Sequence, residues 1–252
     1  ALRYFYEDRP SLPVIAAGSL LEFTLAEHSF SMPVGRIQYL HLGPMSFFEF
    51  LKERSAFEHE ALANWSVGQA FPLPLHENLK KRFREYLMIG GMPEAVEVFL
   101  ETESFEQVRS VQNSILTTYV DDFAKYARRT ALADLQAVFD TIPRTITKKL
   151  KYSNLLPEKR SAQVTNLLEL LIKAQLVRRV RKSDCAGLPL AAGVNPKFSK
   201  LLFLDVGLVS RLLGHEFADL GPGRDHQLIN EGPLAEQFVG QHLQFDPSFE
   251  TL

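Results

Sequence analysis

The sequence predicts a helix-rich protein that joins the end of an α/β core to a helical region and a winged helix-turn-helix. Three observations predict this fold class. Near the amino end, short apolar runs typical of buried strands flank one helical pattern. In the middle of the chain, apolar residues recur at helical spacing. Toward the carboxyl end, three short helical patterns precede extended segments that turn residues separate.

The α/β portion consists of two predicted strands with a helix between them. The first strand, Leu12–Gly18, is an unbroken apolar run, and the second, Arg36–Leu42, is followed by a Gly-Pro pair. The helix is predicted from about Leu20 to Glu27. A buried parallel strand needs a neighbour on each side, so this βαβ-like unit is short of its sheet. Because the chain also opens without Met, we expect the missing strands to precede it, as in an internal fragment.

A series of helices follows the second strand. Ser46 is a typical N-cap residue, and none of the segments after it has the alternation of a strand. The predicted helices are Phe47–Arg54, Glu77–Ile89, Pro93–Leu100 and Phe105–Arg129.

The pattern changes again after Ala133. The predicted helices here are Asp134–Thr141, Pro143–Lys149 and Glu158–Gln175. The extended segments, with Asn195-Pro196 as a turn, are Leu176–Arg181, Leu188–Val194 and Leu201–Leu204. Three helices before a β-hairpin form a winged helix-turn-helix, whose helix from Glu158 would enter a groove of DNA. Asp205 is predicted to cap the helix that follows the last strand.

Composition indicates a soluble globular protein. The 252 residues are 46% hydrophobic and 23% charged, and no apolar run reaches the length of a membrane span. The single cysteine, Cys185, excludes an internal disulfide. We therefore expect a protein of the reducing cytoplasm, with no membrane partner.

Positive charge is concentrated in one segment. Between Arg144 and Lys182 there are eleven Lys or Arg and two Glu, although the whole chain has a net charge of −2. Such a local excess predicts a surface that binds a polyanion, with DNA as the candidate. The alternative is a helix face that is only solvated. The predicted DNA-binding residues are Lys148, Lys149, Lys151, Lys159, Arg160, Arg178, Arg179, Arg181 and Lys182.

Seven phrases in the sequence resemble, in order, those of a prokaryotic AAA+-like ATPase family with a winged helix and a carboxy-terminal domain of unknown function that is similar to restriction endonucleases. They are Val14–Phe23, Pro33–Arg36, Leu42–Phe50, Tyr86–Val96, Tyr119–Tyr126, Phe203–Leu208 and Ala235–Gly240. The resemblance implies four regions: the end of the ATPase core (1–55), a helical lid (56–130), the winged helix (131–215) and the start of a truncated nuclease-like domain (216–252). It also implies ATP and Mg²⁺ as cofactors of an intact parent protein.

Two catalytic residues follow from this resemblance. Ser19 would end the sensor strand and hold the attacking water or sense the γ-phosphate, and a polar residue there does point into the crevice where such sheets bind nucleotides. As an alternative, Ser19 caps the next helix. Arg36 would stabilise the charge of phosphoryl transfer in its own or a neighbouring subunit, and the alternative is a surface arginine.

The resemblance also implies a nucleotide contact at the start of a lid helix. Gly91 and Pro93 look like a Gly-x-Pro element whose proline packs against the base. Ordinary helix-start chemistry explains the same residues equally well. Near the carboxyl end, Glu236 would be the acidic helix residue of the nuclease-like domain, without the strands that carry its partners.

The motifs of ATP hydrolysis are missing from this chain. None of its fourteen glycines precedes Lys, and no apolar strand ends in Asp-Glu, so we expect no hydrolysis and no bound cofactor in the chain alone. The histidines lack metal-ligand spacing, and no metal site is predicted. The leading hypothesis is that this chain is part of an ATP-driven switch that binds DNA. Its expected partners are the missing ATPase half and, in a homo-oligomer, further copies of the same protein. The alternatives are a non-enzymatic DNA-binding or interaction module on a degenerate ATPase scaffold, and a winged helix that docks protein.

Overall fold

Helices make up most of the described part of the molecule, which confirms the prediction of a helix-rich protein. The computed structural model describes residues 2–16, 38, 41–125, 127, 131–188, 190–215 and 232–245. Within these ranges the α-helices are α1 Leu2–Asp8, α2 Phe47–Arg54, α3 Ala56–Ala63, α4 Leu73–Ile89, α5 Pro93–Thr102, α6 Phe105–Asp122, α7 Leu132–Thr141, α8 Tyr152–Leu155, α9 Ser161–Lys173, α10 Val206–Leu213 and α11 Gly232–Phe245. Single 3₁₀ turns occupy Phe123–Lys125, Ile142–Thr145 and Leu190–Gly193, and the two strands are β1 Val177–Ser183 and β2 Val194–Phe203.

The predicted α/β portion falls largely outside the described residues. Residues 12–16 of the first predicted strand are described, and they are exposed and have no regular secondary structure. The prediction of a strand is therefore wrong for these five residues. The physical reason is that a buried strand needs neighbouring strands, and among the described residues no strand pairs with these five.

Local capping explains where the middle helices begin. Ser46 caps α2 in a capping box, because its hydroxyl accepts from Glu49 N and the Glu49 carboxylate accepts from Ser46 N. Helix α4 begins at Leu73, one turn before the predicted start, and Pro74 is tolerated in that first turn. Helix α6 ends at Asp122 rather than at the predicted Arg129.

Phe123 explains the early end of α6. Its ring is buried and lies edge-on to Phe139 of α7, with ring centroids 5.4 Å apart. The chain tightens into a 3₁₀ turn there, and this turn points Phe123 toward α7.

Residues 131–203 differ from the prediction in two places, and the first lies between α7 and α9, where the short helix α8 was not predicted. The helix predicted at Pro143–Lys149 is a short 3₁₀ turn, because Thr147 has a φ of 78° that a helix cannot contain. The chain then extends, and Leu150 N donates to Ser199 O of β2 at 2.7 Å. Helix α9 begins at Ser161 rather than at Glu158.

The second difference lies in the hairpin. The segment predicted as extended, Leu188–Val194, contains a 3₁₀ turn, and β2 runs through the Asn195-Pro196 pair that was predicted as a turn. The register of the antiparallel ladder shifts between Arg181 and Lys182, which pair with Ser199 and Asn195. The three residues of β2 between these two partners are therefore left outside the ladder. This bulge accommodates Pro196, which has no N–H to donate.

The two-stranded sheet is covered on both faces. Val177, Leu201 and Phe203 lie on one face and pack toward α7 and α9, where the Phe139 and Phe203 rings are 5.0 Å apart. Leu202 points to the other face and contacts α11, where a Cβ on Gly240 would lie 2.3 Å from a Leu202 methyl carbon. The buried apolar residues form one cluster that runs from Phe47 of α2 to Leu234 of α11.

Candidate nucleic-acid interface

Helix α9 presents a polar surface because its apolar side is fixed in the core. Val164, Leu167, Leu168 and Leu171 are buried, as their helical spacing predicts. The opposite side begins with Arg160 and continues through exposed Gln163 and Asn166. The Gln163 side chain also accepts from Arg160 N at 3.4 Å, which ties it to the start of the helix.

Five of the nine predicted DNA-binding residues are exposed and form no ion pair within the described residues. We call them the basic surface: Lys148, Lys149, Lys151, Arg160 and Arg181. Lys149 lies over the Phe198 ring, with its Nζ 5.1 Å from the ring centroid. The rest of this set projects into solvent and has charge available for a partner.

Sheet geometry places three members of the basic surface close together. The hydrogen bond from Leu150 to Ser199 sets the segment with Lys149 and Lys151 beside β2, and Ser199 is opposite Arg181 in the ladder. Neighbouring extended segments lie about 4.8 Å apart, so Arg181 is about two such spacings from Leu150. A positive stripe therefore crosses this end of the hairpin.

The other four predicted residues are engaged by neighbouring side chains. Lys159 pairs with Asp134 at 2.7 Å, and Lys182 pairs with Asp184 at 3.1 Å. Both acids lie outside the segment 144–182, in which eleven Lys or Arg and two Glu give a net charge of +9. The positive charge at the surface is therefore smaller than this sequence count.

Arg178 and Arg179 of β1 point to opposite sides of the hairpin. Arg178 faces the Gln244 amide of α11, whose oxygen accepts from Nε at 2.7 Å and from Nη2 at 2.9 Å in its hydrogen-bonded orientation. Arg179 Nη2 lies 2.9 Å from Glu169 Oε1 without the alignment of a hydrogen bond, which makes this contact an ion pair. Both arginines belong to the packing of the hairpin as well as to its charge.

The predicted nucleotide-binding residues lie at a different place, where the turn before α5 meets the start of α10. Gly91 is buried, and its N–H donates to Asp205 Oδ2 at 2.7 Å. Pro93 occupies the first turn of α5 and is exposed. The Gly91 amide is thus committed to a protein carboxylate, whereas the Pro93 ring is accessible. A contact of either residue with a nucleotide stays a prediction.

Asp205 is the centre of this junction. The prediction that it caps the following helix is confirmed, since Oδ1 accepts from Gly207 N at 2.9 Å and from Leu208 N at 3.1 Å. Gln241 Nε2 of α11 donates to Oδ2 at 3.3 Å. The side chain is fully buried, and this burial raises its pKa, although the hydrogen bonds from the amides of Gly91 and Leu208 act in the opposite direction.

Two glycines let the start of α10 and the end of α4 approach each other closely. Gly90 has a φ of 77°, and a Cβ there would lie 2.0 Å from Asp205 Oδ1. A Cβ on Gly207 would lie 2.3 Å from the carbonyl oxygen of Ile89. The sequence phrases that contain Gly90 and Gly207 therefore touch in the fold, and no single-chain pattern indicates that contact.

The predicted catalytic residues Ser19 and Arg36 lie outside the described residues. Among the residues that are described, no three His, Cys, Asp or Glu side chains come together in a way that could hold a metal ion. No helix in the described ranges is both long and apolar enough to cross a membrane.

Comparison with known proteins gives one family match. The model of a family described as a domain of unknown function (DUF8612) matches residues 80–219, which is more than half of the chain. These residues extend from α4 through α10 and contain both the basic surface and Asp205. No curated protein and no solved structure matches the chain.

Proposed function

This chain belongs to the family of the domain of unknown function DUF8612, and from its own residues we propose that residues 131–203 form a winged helix that binds duplex DNA. The order of α7, α8, α9, β1 and β2 supports this assignment, and so does the extended segment that bonds to β2 through Leu150. The observation that carries the proposal is the basic surface, which has five exposed cations without ionic partners among the described residues.

Each part of the proposed interface has its own task on DNA. Lys149, Lys151 and Arg181 contact phosphates, which gives affinity and register without sequence preference. Helix α9 offers Gln163 and Asn166 to a groove, since amide side chains can pair with adenine edges. Arg160 stands at the entry of that helix and contacts either a phosphate or guanine.

The proposal also includes the ATPase context that the sequence resemblance suggests. The chain would contribute lid and winged helix to an AAA+-like ATPase whose phosphate-binding loop lies elsewhere. In that setting Ser19 and Arg36 would act at the γ-phosphate, and ATP with Mg²⁺ would be cofactors of the complete protein. A non-enzymatic DNA-binding module on a degenerate ATPase scaffold is the alternative that shares the same DNA interface.

Fluorescence anisotropy with a short labelled duplex tests the DNA interface. We expect the paired change Lys149→Glu with Lys151→Glu to lower affinity roughly tenfold and to reduce the slope of log affinity against log salt by about two. The control is Lys52→Glu with Lys81→Glu, which makes the same charge change at exposed positions of α2 and α4. Equal losses in the two double variants would contradict a localised interface.

A protein-docking winged helix is a second candidate, and one observation favours it. The wing carries exposed apolar side chains, with Val180 48% and Leu188 92% exposed. In addition, Glu169 of α9 forms an ion pair with Arg179 of β1, which reduces the positive charge beside α9. If the wild-type chain shows no salt-dependent affinity for duplex DNA, this docking assignment replaces the first.

A further inference from the structure

A pocket of about 540 Å³ lies between the first half of α6 and the end of α10, away from the basic surface. Its volume is in the range of small-molecule sites, which is about 300 to 1,000 Å³. The apolar part of its lining comes from Met88, Phe105 and Val108. The polar part includes two arginines, Arg109 of α6 and Arg211 of α10.

A hydrogen bond across the pocket fixes the position of one guanidinium. Arg211 Nε donates to Asn113 Oδ1 at 2.8 Å. Asn113 and Arg109 are four residues apart on α6 and therefore lie on the same face, about 5–6 Å apart at Cβ. Within the described residues this is the one hydrogen bond of the Arg211 side chain. Its two terminal nitrogens therefore have N–H donors to offer a ligand.

Charge and shape together define the ligand that fits. Two guanidinium groups bind a carboxylate, phosphate or sulfonate strongly, because their paired N–H donors match its oxygens. The lining by Phe105 and Val108 favours an apolar body next to that anionic head. Among the described residues of the lining, Glu106 is acidic and opposes an anion.

We propose that this pocket binds a small organic anion, with its head group between Arg109 and Arg211 and an aromatic or aliphatic body over Met88, Phe105 and Val108. The site is separate from the DNA interface and does not depend on it. It provides the helical region with a small-molecule site of its own.

The experiment uses the whole chain and the fluorescent probe 8-anilinonaphthalene-1-sulfonate, an aromatic anion. We expect saturable binding of one probe, and a loss of about tenfold in affinity for Arg109→Gln or Arg211→Gln, as for a lost charge-assisted contact. Arg144→Gln, on an exposed residue outside the pocket, is the matched control and is expected to leave affinity unchanged.

Two further measurements separate binding in the pocket from loss of structure. Glu106→Gln removes the opposing charge and should tighten probe binding several-fold, a gain that a misfolded variant would not give. The neutral probe N-phenyl-1-naphthylamine should bind about tenfold more weakly than the sulfonate. Equal binding of the two probes, or sulfonate binding that neither arginine change weakens, overturns the proposal.

Discussion

At the scale of single residues, Asp205 shows how a local sequence signal can understate a contact. A carboxylate before a helix is expected to cap it, and two of the donors to Asp205 are the amides that capping uses. The other two donors, Gly91 N and Gln241 Nε2, come from distant parts of the chain. One buried carboxylate thus joins the α4–α5 turn, α10 and α11.

Replacing this carboxylate by an amide should destabilise the protein. Asp205→Asn keeps one oxygen for the capping amides and turns an NH₂ group toward the donors from Gly91 and Gln241. We expect a loss of about 1–3 kcal/mol in the free energy of unfolding at neutral pH, as for buried donors left without an acceptor. Urea unfolding followed by circular dichroism measures this loss.

The same variant has a pH dependence whose sign follows from the raised pKa. Because the folded pKa of Asp205 lies above its ordinary value of 3.8, the folded state binds the proton first as pH falls. Wild-type stability relative to Asp205→Asn should therefore increase as pH decreases through the folded pKa toward 3.8. The control is Asp121→Asn, on an exposed residue of α6, which should change stability little both at neutral pH and near pH 3.8. A difference that is constant with pH would contradict a raised pKa of Asp205 in the folded protein.

At the scale of elements, the sequence predicted best the helices that local chemistry defines. The capping box of Ser46 and Glu49 marks the start of α2, and the apolar spacing of α9 marks its buried face. The errors came where long-range contacts decide, as in the 3₁₀ turn before Thr147 and the bulge of β2 at Pro196. The pairing of Lys159 could not be predicted either, because Asp134 is distant in the sequence and approaches it only in the fold, whereas Asp184 is two residues from Lys182.

Strand β1 illustrates two physical reasons for one charge pattern. Within the described residues it pairs with β2 alone, so its other edge is open. Charged side chains on an open edge hinder pairing with strands of other molecules. Arg181 and Lys182 can therefore protect the hairpin from aggregation, and Arg181 can also attract phosphate.

The buried side chain of Gln237 joins helix α11 to β2. Its Oε1 accepts from Phe203 N at 2.8 Å, and its Nε2 donates to Phe203 O at 2.7 Å, so it continues the strand's hydrogen bonding. We expect Gln237→Leu to lower the free energy of unfolding by about 2–4 kcal/mol, because both backbone groups lose their partner in a buried place. Gln136→Leu, on an exposed position of α7, is the control in the same urea experiment. A variant as stable as the control would show that the two hydrogen bonds of Gln237 contribute little to the packing of α11 on β2.

At the scale of the whole molecule, the packing crosses the four regions that the resemblance implies. Phe238 of α11 lies 4.8 Å from the Phe83 ring of α4 and 6.3 Å from the Phe47 ring of α2, between ring centroids. The adjacent Gln237 bonds to β2. Helix α11 therefore connects the predicted lid and the hairpin through one core, and sequence motifs read region by region give no sign of it.

This continuity predicts that the described part of the chain unfolds as one cooperative unit. Leu168 of α9 is fully buried, and Leu168→Ala should cost about 2–5 kcal/mol, as is usual for such a cavity. The single tryptophan, Trp65, lies between α3 and α4, and it reports on a part of the chain outside residues 131–203. If the core is continuous, the urea midpoints from Trp65 fluorescence and from far-UV circular dichroism should fall together in this variant. Leu188→Ala, on a side chain that is 92% exposed, should move neither midpoint. A Trp65 midpoint that stays at the wild-type value, while the circular dichroism midpoint falls, would show that residues 131–203 unfold independently of α2 to α4.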